Sequence, residues 1–212
     1  PRTAGNRQWA IRFMQSMMVI EGFSDEHDFS GDTVARGEAE SPRPLNHLEI
    51  DSLLGVVDST LISTGEDLLV AFSLSGASAL EAGLVRACDI ELENQLVQFH
   101  GENPRTATLT QWACGRAALF LNENERKSDQ RLAVAEFVSY ENVARTVNTR
   151  LMNVMRMAGF RSGSGVTAKS IRLGAADVVL ELNGLEAAAV FLGNNSLDAT
   201  ARMLGYEWWA TK

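Results

Sequence analysis

The chain is poor in the residues that announce a metal or disulfide site. Its 212 residues include two cysteines, Cys88 and Cys114, and three histidines, His27, His47 and His100. Two cysteines form neither a disulfide framework nor a ligand cluster, and they suit a reducing cytoplasm with free, buried thiols. The histidines fall in a linker, at a helix start and at a turn, without ligand spacing, so surface positions are expected, with no metal and no cofactor. No apolar run approaches the roughly 20 residues of a membrane helix, and no signal-peptide pattern opens the chain. A cytoplasmic protein without membrane contact is therefore expected. Positive charge is also short: 19 Lys and Arg stand against 27 Asp and Glu, a formal net charge of -8. That sign is wrong for a protein that coats nucleic acid, whose affinity rests on phosphate neutralisation. The stretch from Ser162 to Gly165 lacks the lysine and spacing of a phosphate-cradling loop, so a nucleotide site there carries little weight. An initiator methionine is missing before Pro1, and an upstream segment is expected.

What is present is a globular composition. With 45% hydrophobic and 22% charged residues the chain is not disordered, and its length suffices for one substantial core, alone or with a small appendage. The basic residues are unevenly placed. Between Tyr140 and Arg172 lie Arg145, Arg150, Arg156, Arg161, Lys169 and Arg172, opposed only by Glu141. Such a patch can meet a phosphate backbone, or it can be a solvated helix face; both readings stand at this level.

Thr3 to Gly22 reads as an amphipathic helix with Trp9, Phe13, Met17 and Ile20 on one side. Ser24 to Pro44 is polar and acidic, with almost no apolar content, and reads as a linker. Asn46 followed by Glu49 makes a capping-box pattern for the next helix. Further helices are predicted over Gly65–Ser75, Ser78–Val85, Trp112–Asn122, Glu141–Ala158, Ala168–Leu182, Leu185–Leu192 and Leu197–Leu204. Asp89–Phe99 reads as one strand, and Thr106–Thr110 as its return partner after the turn at Glu102-Asn103-Pro104. The expected fold is mainly α with a small antiparallel β-sheet.

Several blocks, in order, resemble the tyrosine recombinases (phage integrases). Val166-Thr-Ala-Lys-Ser-Ile-Arg172, an apolar helix, and then Phe191-Leu-Gly-Asn-Asn-Ser-Leu-Asp-Ala-Thr-Ala-Arg-Met-Leu-Gly-Tyr206 are similar to the family's closing motifs. Arg43 to Leu54 resembles the opening of its catalytic domain, and Ser75 to Ile90 its Thr-Gly-x-Arg-x-x-Glu block. His100 to Thr110 falls where the family carries a hairpin lysine, and Thr146 to Arg150 resembles the helix before its His-x-x-Arg motif. Thr3 to Arg7 and the helix after it resemble the last helix of the N-terminal core-binding domain. The resemblance implies three parts: residues 1–23 ending a core-binding domain, a linker over 24–44, and a catalytic-type domain over 45–212.

In that family a tyrosine attacks a DNA phosphate without metal or nucleotide, while two arginines and a His or Trp stabilise the phosphoryl oxygens. Carried over residue by residue, the resemblance places the first arginine at Ser78, with the acidic neighbour kept as Glu81. The hairpin lysine falls near Pro104 or Arg105; an arginine there can bind phosphate but is a poor proton donor. Lys169 takes the His of His-x-x-Arg, and Arg172 its arginine. Asn194 stands at the Leu-Gly-His position, and Met203 at the nucleophile. The implied catalytic set is Arg172, Lys169 and, one turn beyond the vacant position, Tyr206. The implied DNA contacts are Arg105, Arg145, Arg150, Lys169 and Arg172. For Arg172 the competing reading is an ion pair with Glu81, and for Tyr206 it is packing beside Trp208 and Trp209.

The substitutions at Ser78, Asn194 and Met203 point to an integrase-like, weakly DNA-binding protein that has lost strand cleavage. Two alternatives stay open: an active recombinase with Tyr206 as a displaced nucleophile, and a protein-interaction module that keeps only the fold. Self-association through the C-terminal segment is a further expectation of the resemblance.

Overall fold

The computed structural model describes residues 42–60, 64–101, 103–124, 128–161 and 164–206. The predicted Thr3–Gly22 helix and most of the predicted linker lie outside the described residues. From residue 42 onward the chain is mainly helical with one three-stranded antiparallel sheet, as the sequence pattern implies.

Helix α1 (His47–Thr60) starts where the capping box predicts. Asn46 Oδ1 accepts from the Glu49 amide at 3.0 Å, and Glu49 returns the bond to the Asn46 amide at 3.0 Å. Arg43 closes a two-pronged pair on the same carboxylate, at 2.8 and 2.6 Å. Helix α2 (Glu66–Leu74) is buried from Asp67 to Leu74 and forms the centre of the domain. An all-round apolar helix has no stable place except inside others, and the helices Ala79–Leu84, Gln111–Glu123, Tyr140–Met157 and Ala168–Leu192 pack against it. Helix α3 (Ala79–Leu84) begins with a second capping box, Ser78 with Glu81.

A short 3₁₀ turn (Ala87–Asp89) leads into β1 (Ile90–Glu91), β2 (Leu96–Phe99) and β3 (Arg105–Thr108), in the order β1-β2-β3. Here the structure corrects one expectation: Asp89–Phe99 is not one strand but a tight hairpin. Ile90 and Leu92 share one parity and Val97 the other, so alternation cannot run through. The chain reverses at Gln95, which takes φ 56 and donates its amide to Leu92 O at 3.2 Å. Val97 and Phe99 are buried, and the Phe99 ring meets Phe72 edge-on with centroids 6.4 Å apart.

Helix α4 (Gln111–Glu123) is capped by the Thr110 hydroxyl, and α5 (Tyr140–Met157) buries Val143, Val147, Leu151, Val154 and Met155. Helix α6 (Ala168–Leu192) is interrupted at Gly184, with φ 85 and ψ 176, between the two predicted helices. Residues 185–192 fold back along 168–183, so that Leu173 and Ala176 pack with Ala188 and Leu192. Helix α7 (Leu197–Leu204) closes this second, smaller cluster through Leu204 and Met203. Cys88 is exposed rather than buried, because it sits in the surface 3₁₀ turn; Cys114 is half-buried, and both thiols are free. Met155 is core, Met152 packs at its edge, and Met157 is exposed. Among the described residues no helix is long and apolar enough to cross a membrane.

Candidate functional site

Two helix ends and one strand converge to build the site. The turn after α2 runs through Gly76 at φ 89, a left-handed conformation that L side chains avoid. The Ser75, Gly76 and Ala77 amides turn back onto α2 carbonyls, which leaves Gly76 O free to accept. At the end of α6, Gly193 takes φ 65, and the Gly193 and Asn194 amides bond back to Val190 O and Ala189 O. That closure leaves Phe191 O and Leu192 O without helical partners. Three orphan carbonyls thus face one another, and cations are favoured there by the helix dipoles.

Arg172 and Arg105 fill this place. Arg172 Nε donates to Gly76 O at 2.8 Å and its Nη2 to Leu192 O. The break at Gly184 makes this reach geometrically feasible: it brings the far end of α6 back to the turn that carries Arg172. Arg105, at the start of β3, donates from Nη2 to Gly76 O at 2.7 Å and to Phe191 O at 3.4 Å, and from Nη1 to Glu81. Its guanidinium also lies 5.1 Å from the Phe99 ring centroid. The ion pair with Glu81, the competing reading of Arg172, is therefore not the one formed: Arg105 takes the carboxylate. Burial lowers the Arg172 pKa to about 10, and the nearby Arg105 charge acts in the same direction against the Glu81 charge.

Arg172 is shared by two adjoining cavities. One, of about 270 Å³, is lined by Ser73, Ser78, Asn148, Lys169 and Arg172 among others. The second, of about 280 Å³, is lined by Ser78, Glu81, Asn103, Arg172, Gly193 and Asn194 among others. Ser78 and Arg172 belong to both. Lys169 stands one turn before Arg172 on α6 and faces the first cavity; burial, then the Arg172 charge, holds its ammonium below the usual lysine range. Within the described residues Lys169 makes no hydrogen bond or ion pair. Chemically the first cavity offers one guanidinium, one ammonium, two hydroxyls and one amide around a space large enough for a phosphate. Such donors are of the kind that bind anions. Asn148 was not foreseen, although it sits one turn after Arg145 on the polar side of α5.

The other predicted residues divide. Arg145 and Arg156 are exposed on α5, Arg161 is exposed beyond it, and Lys169 is an exposed residue whose ammonium is partly desolvated. Arg150 turns inward: Nε donates to Glu66 at 2.8 Å, Nη1 to Ala133 O and Nη2 to Thr64 O at 3.2 Å. Asn194 lines the second cavity and donates to the Thr200 hydroxyl at 3.0 Å. Met203 is half-buried in the second apolar cluster. Tyr206 is exposed just beyond α7, its amide bonded to Ala201 O at 2.8 Å, and lines neither cavity. The described residues contain no group of three His, Cys, Asp or Glu side chains placed to hold a metal ion.

No family model matches the chain, and no curated protein matches it. Solved structures do. XerA recombinase superposes with a TM-score of 0.63 at 15% identity, over 83% of this chain and 63% of that one. XerH site-specific recombinase bound to palindromic difH substrate, in a post-cleavage complex, gives 0.60 at 18% identity, over 80% and 51%. A lambda integrase dimer bound to a COC' core site gives 0.54 at 14% identity, over 91% and 70%. The fold resembles that of the tyrosine recombinases and integrases. The chain spans less than two thirds of XerA and about half of XerH.

Proposed function

We propose that this chain is a recombinase-fold DNA-binding protein that seats a backbone phosphate in the Arg172–Lys169 cleft and does not cut the strand. The observation that carries the reading is the cleft itself: Lys169 and Arg172 share its wall with Ser78 and Asn148, and among the described residues no carboxylate pairs with either cation. A half-buried guanidinium and a desolvated ammonium together favour an anion. Phosphate contacts of this kind position a duplex and carry no sequence information. Exposed Arg145, near the cleft on α5, extends the contact along the backbone.

The absence of cleavage rests on position 203. Covalent strand transfer needs a nucleophile at the phosphate, and α7 presents Met203 to an apolar cluster instead. Residues 1–44 belong, in this reading, to a preceding domain and its linker, and copies associate through the C-terminal segment. The test is titration of a labelled duplex by anisotropy at several salt concentrations. Arg172→Gln and Lys169→Gln should each weaken binding about tenfold and flatten the salt dependence by about one ion. Binding that these variants leave unchanged would remove the reading.

A further inference from the structure

We infer that Arg105 is a positioning residue for Arg172: by occupying Glu81 it keeps the Arg172 charge uncompensated and available to an anion. The inference rests on the phosphate reading of the cleft and adds a part that the site's walls do not show. Two guanidiniums and one carboxylate share this corner of the fold. Glu81 is 6% exposed, so its charge must be paired inside the protein. Arg105 and Arg172 are both near enough to serve, since each is within reach of Gly76 O and the Glu81 charge acts on Arg172.

Arg105 wins because both its terminal nitrogens are engaged, although its Nε is buried without a partner among the described residues. Its Nη1 is on Glu81, its Nη2 on Gly76 O and Phe191 O, and its plane lies against Phe99. Gly193 has no Cβ at the point of closest approach; one built there would meet Arg105 Nη1 at 2.6 Å and Cζ at 2.8 Å. Arg105 lines neither cavity next to Arg172, whereas Glu81 and Gly193, which flank it, line the second. It therefore stands behind the wall and not in the cleft. Arg172 bonds carbonyls through Nε and Nη2, and among the described residues nothing accepts from its Nη1. Carbonyls orient a guanidinium but do not cancel its charge. Remove Arg105, and the unpaired Glu81 carboxylate becomes the strongest acceptor for Arg172, which then turns away from the ligand.

The experiment is a mutant cycle read by anisotropy of a short labelled duplex of random sequence, with thermal melts on every variant. Arg105→Gln is expected to bind about tenfold more weakly than the parent. Adding Glu81→Gln to it removes the competing carboxylate and should return affinity to within about threefold of the parent. A loss that persists in the folded double variant overturns the inference, because Arg105 would then be touching DNA or only bracing the fold. Parent-like binding by Arg105→Gln overturns it as well. If the single variant does not fold, the double variant, which removes both members of a buried pair, carries the test alone with the same two outcomes. Arg172→Gln separates the two claims: unchanged binding there defeats the phosphate reading itself, whatever Arg105 does.

Discussion

Arg105 and Arg172 donate to one acceptor. Arg105 Nη2 lies 2.7 Å and Arg172 Nε 2.8 Å from the carbonyl oxygen of Gly76, so a strand and a helix distant in sequence are fixed to the same turn. The direction of that carbonyl depends on a φ of 89 at Gly76, and a Cβ there would run into Phe191 O. Gly76→Ala thus meets both conformational strain and a collision with backbone. Gly159→Ala supplies the control, having φ 87 and nothing within 4 Å of its Cβ. The control should lose about 1 to 2 kcal/mol from the left-handed conformation alone. Gly76→Ala should lose about 1 to 3 kcal/mol more through overpacking. Denaturant melts of the two variants measure the difference, and equal losses would mean that the turn can shift.

Arg145 and Arg150 are on the same helix and belong to the same basic run, yet they should behave oppositely. Arg150 bonds to Glu66, Ala133 O and Thr64 O, tying α5 to the start of α2. Arg150→Gln is expected to lower stability by about 1.5 to 3 kcal/mol, the range for charge-assisted hydrogen bonds, with little change in DNA affinity once folded. Arg145 is exposed and bears no such ties through its side chain among the described residues. Arg145→Gln should leave the melt unchanged and reduce the salt slope of DNA binding by about one. Paired melts and salt titrations decide it; a DNA-affinity loss confined to Arg150→Gln would reverse the assignment.

Placing a tyrosine at position 203 should not produce cleavage. Met203 packs against the buried cluster of Leu173, Ala176, Ala188, Leu192 and Leu204, and Ser78 brings no second guanidinium to the cleft. Met203→Tyr is therefore expected to cost about 1 to 3 kcal/mol through overpacking. It should give no denaturant-resistant DNA adduct on a nicked suicide duplex. Tyr206→Phe should likewise change neither DNA affinity nor adduct formation. An adduct from the parent that Tyr206→Phe abolishes would establish the displaced-nucleophile alternative instead.

Local chemistry was legible in this sequence, and pairing across the fold was not. The Asn46–Glu49 box, the α5 stripe and the break between Leu182 and Leu185 depend on residues a few positions apart, and each stands where its pattern implies. The Asp89–Phe99 strand failed because its apolar positions change parity at a turn without glycine or proline; Gln95 takes the positive φ instead. The competing reading of Arg172, an ion pair with Glu81, is not realised for a different reason. Arg172 and Glu81 are both in the site, but which cation takes the carboxylate depends on a third group that arrives from β3. The basic run likewise looked uniform, although two of its six members, Arg150 and Arg172, donate to backbone carbonyls inside the domain. Charge counts along a chain do not reveal which guanidinium meets a helix C-terminus.

The pH dependence of binding should carry the mark of Lys169. Burial and the Arg172 charge hold its pKa below the ordinary lysine value of 10.5 in the free protein. A bound phosphate reverses that bias, so above the free-state pKa binding must take up a proton. Affinity is then flat at neutral pH and falls as pH rises through the depressed pKa, before an exposed lysine would titrate. Arg172, at about 10, adds a loss of the same sign. Stability should move the other way. Both bases have folded pKa values below their unfolded ones, so the unfolded chain binds more protons across that window and this contribution to stability grows with pH. Lys169→Arg keeps the charge but raises the intrinsic pKa above about 12. Titrating the duplex from about pH 7 to about pH 10, the variant should hold its affinity beyond the point where the parent declines. Coincident declines would show that Lys169 is not the group that meets the phosphate.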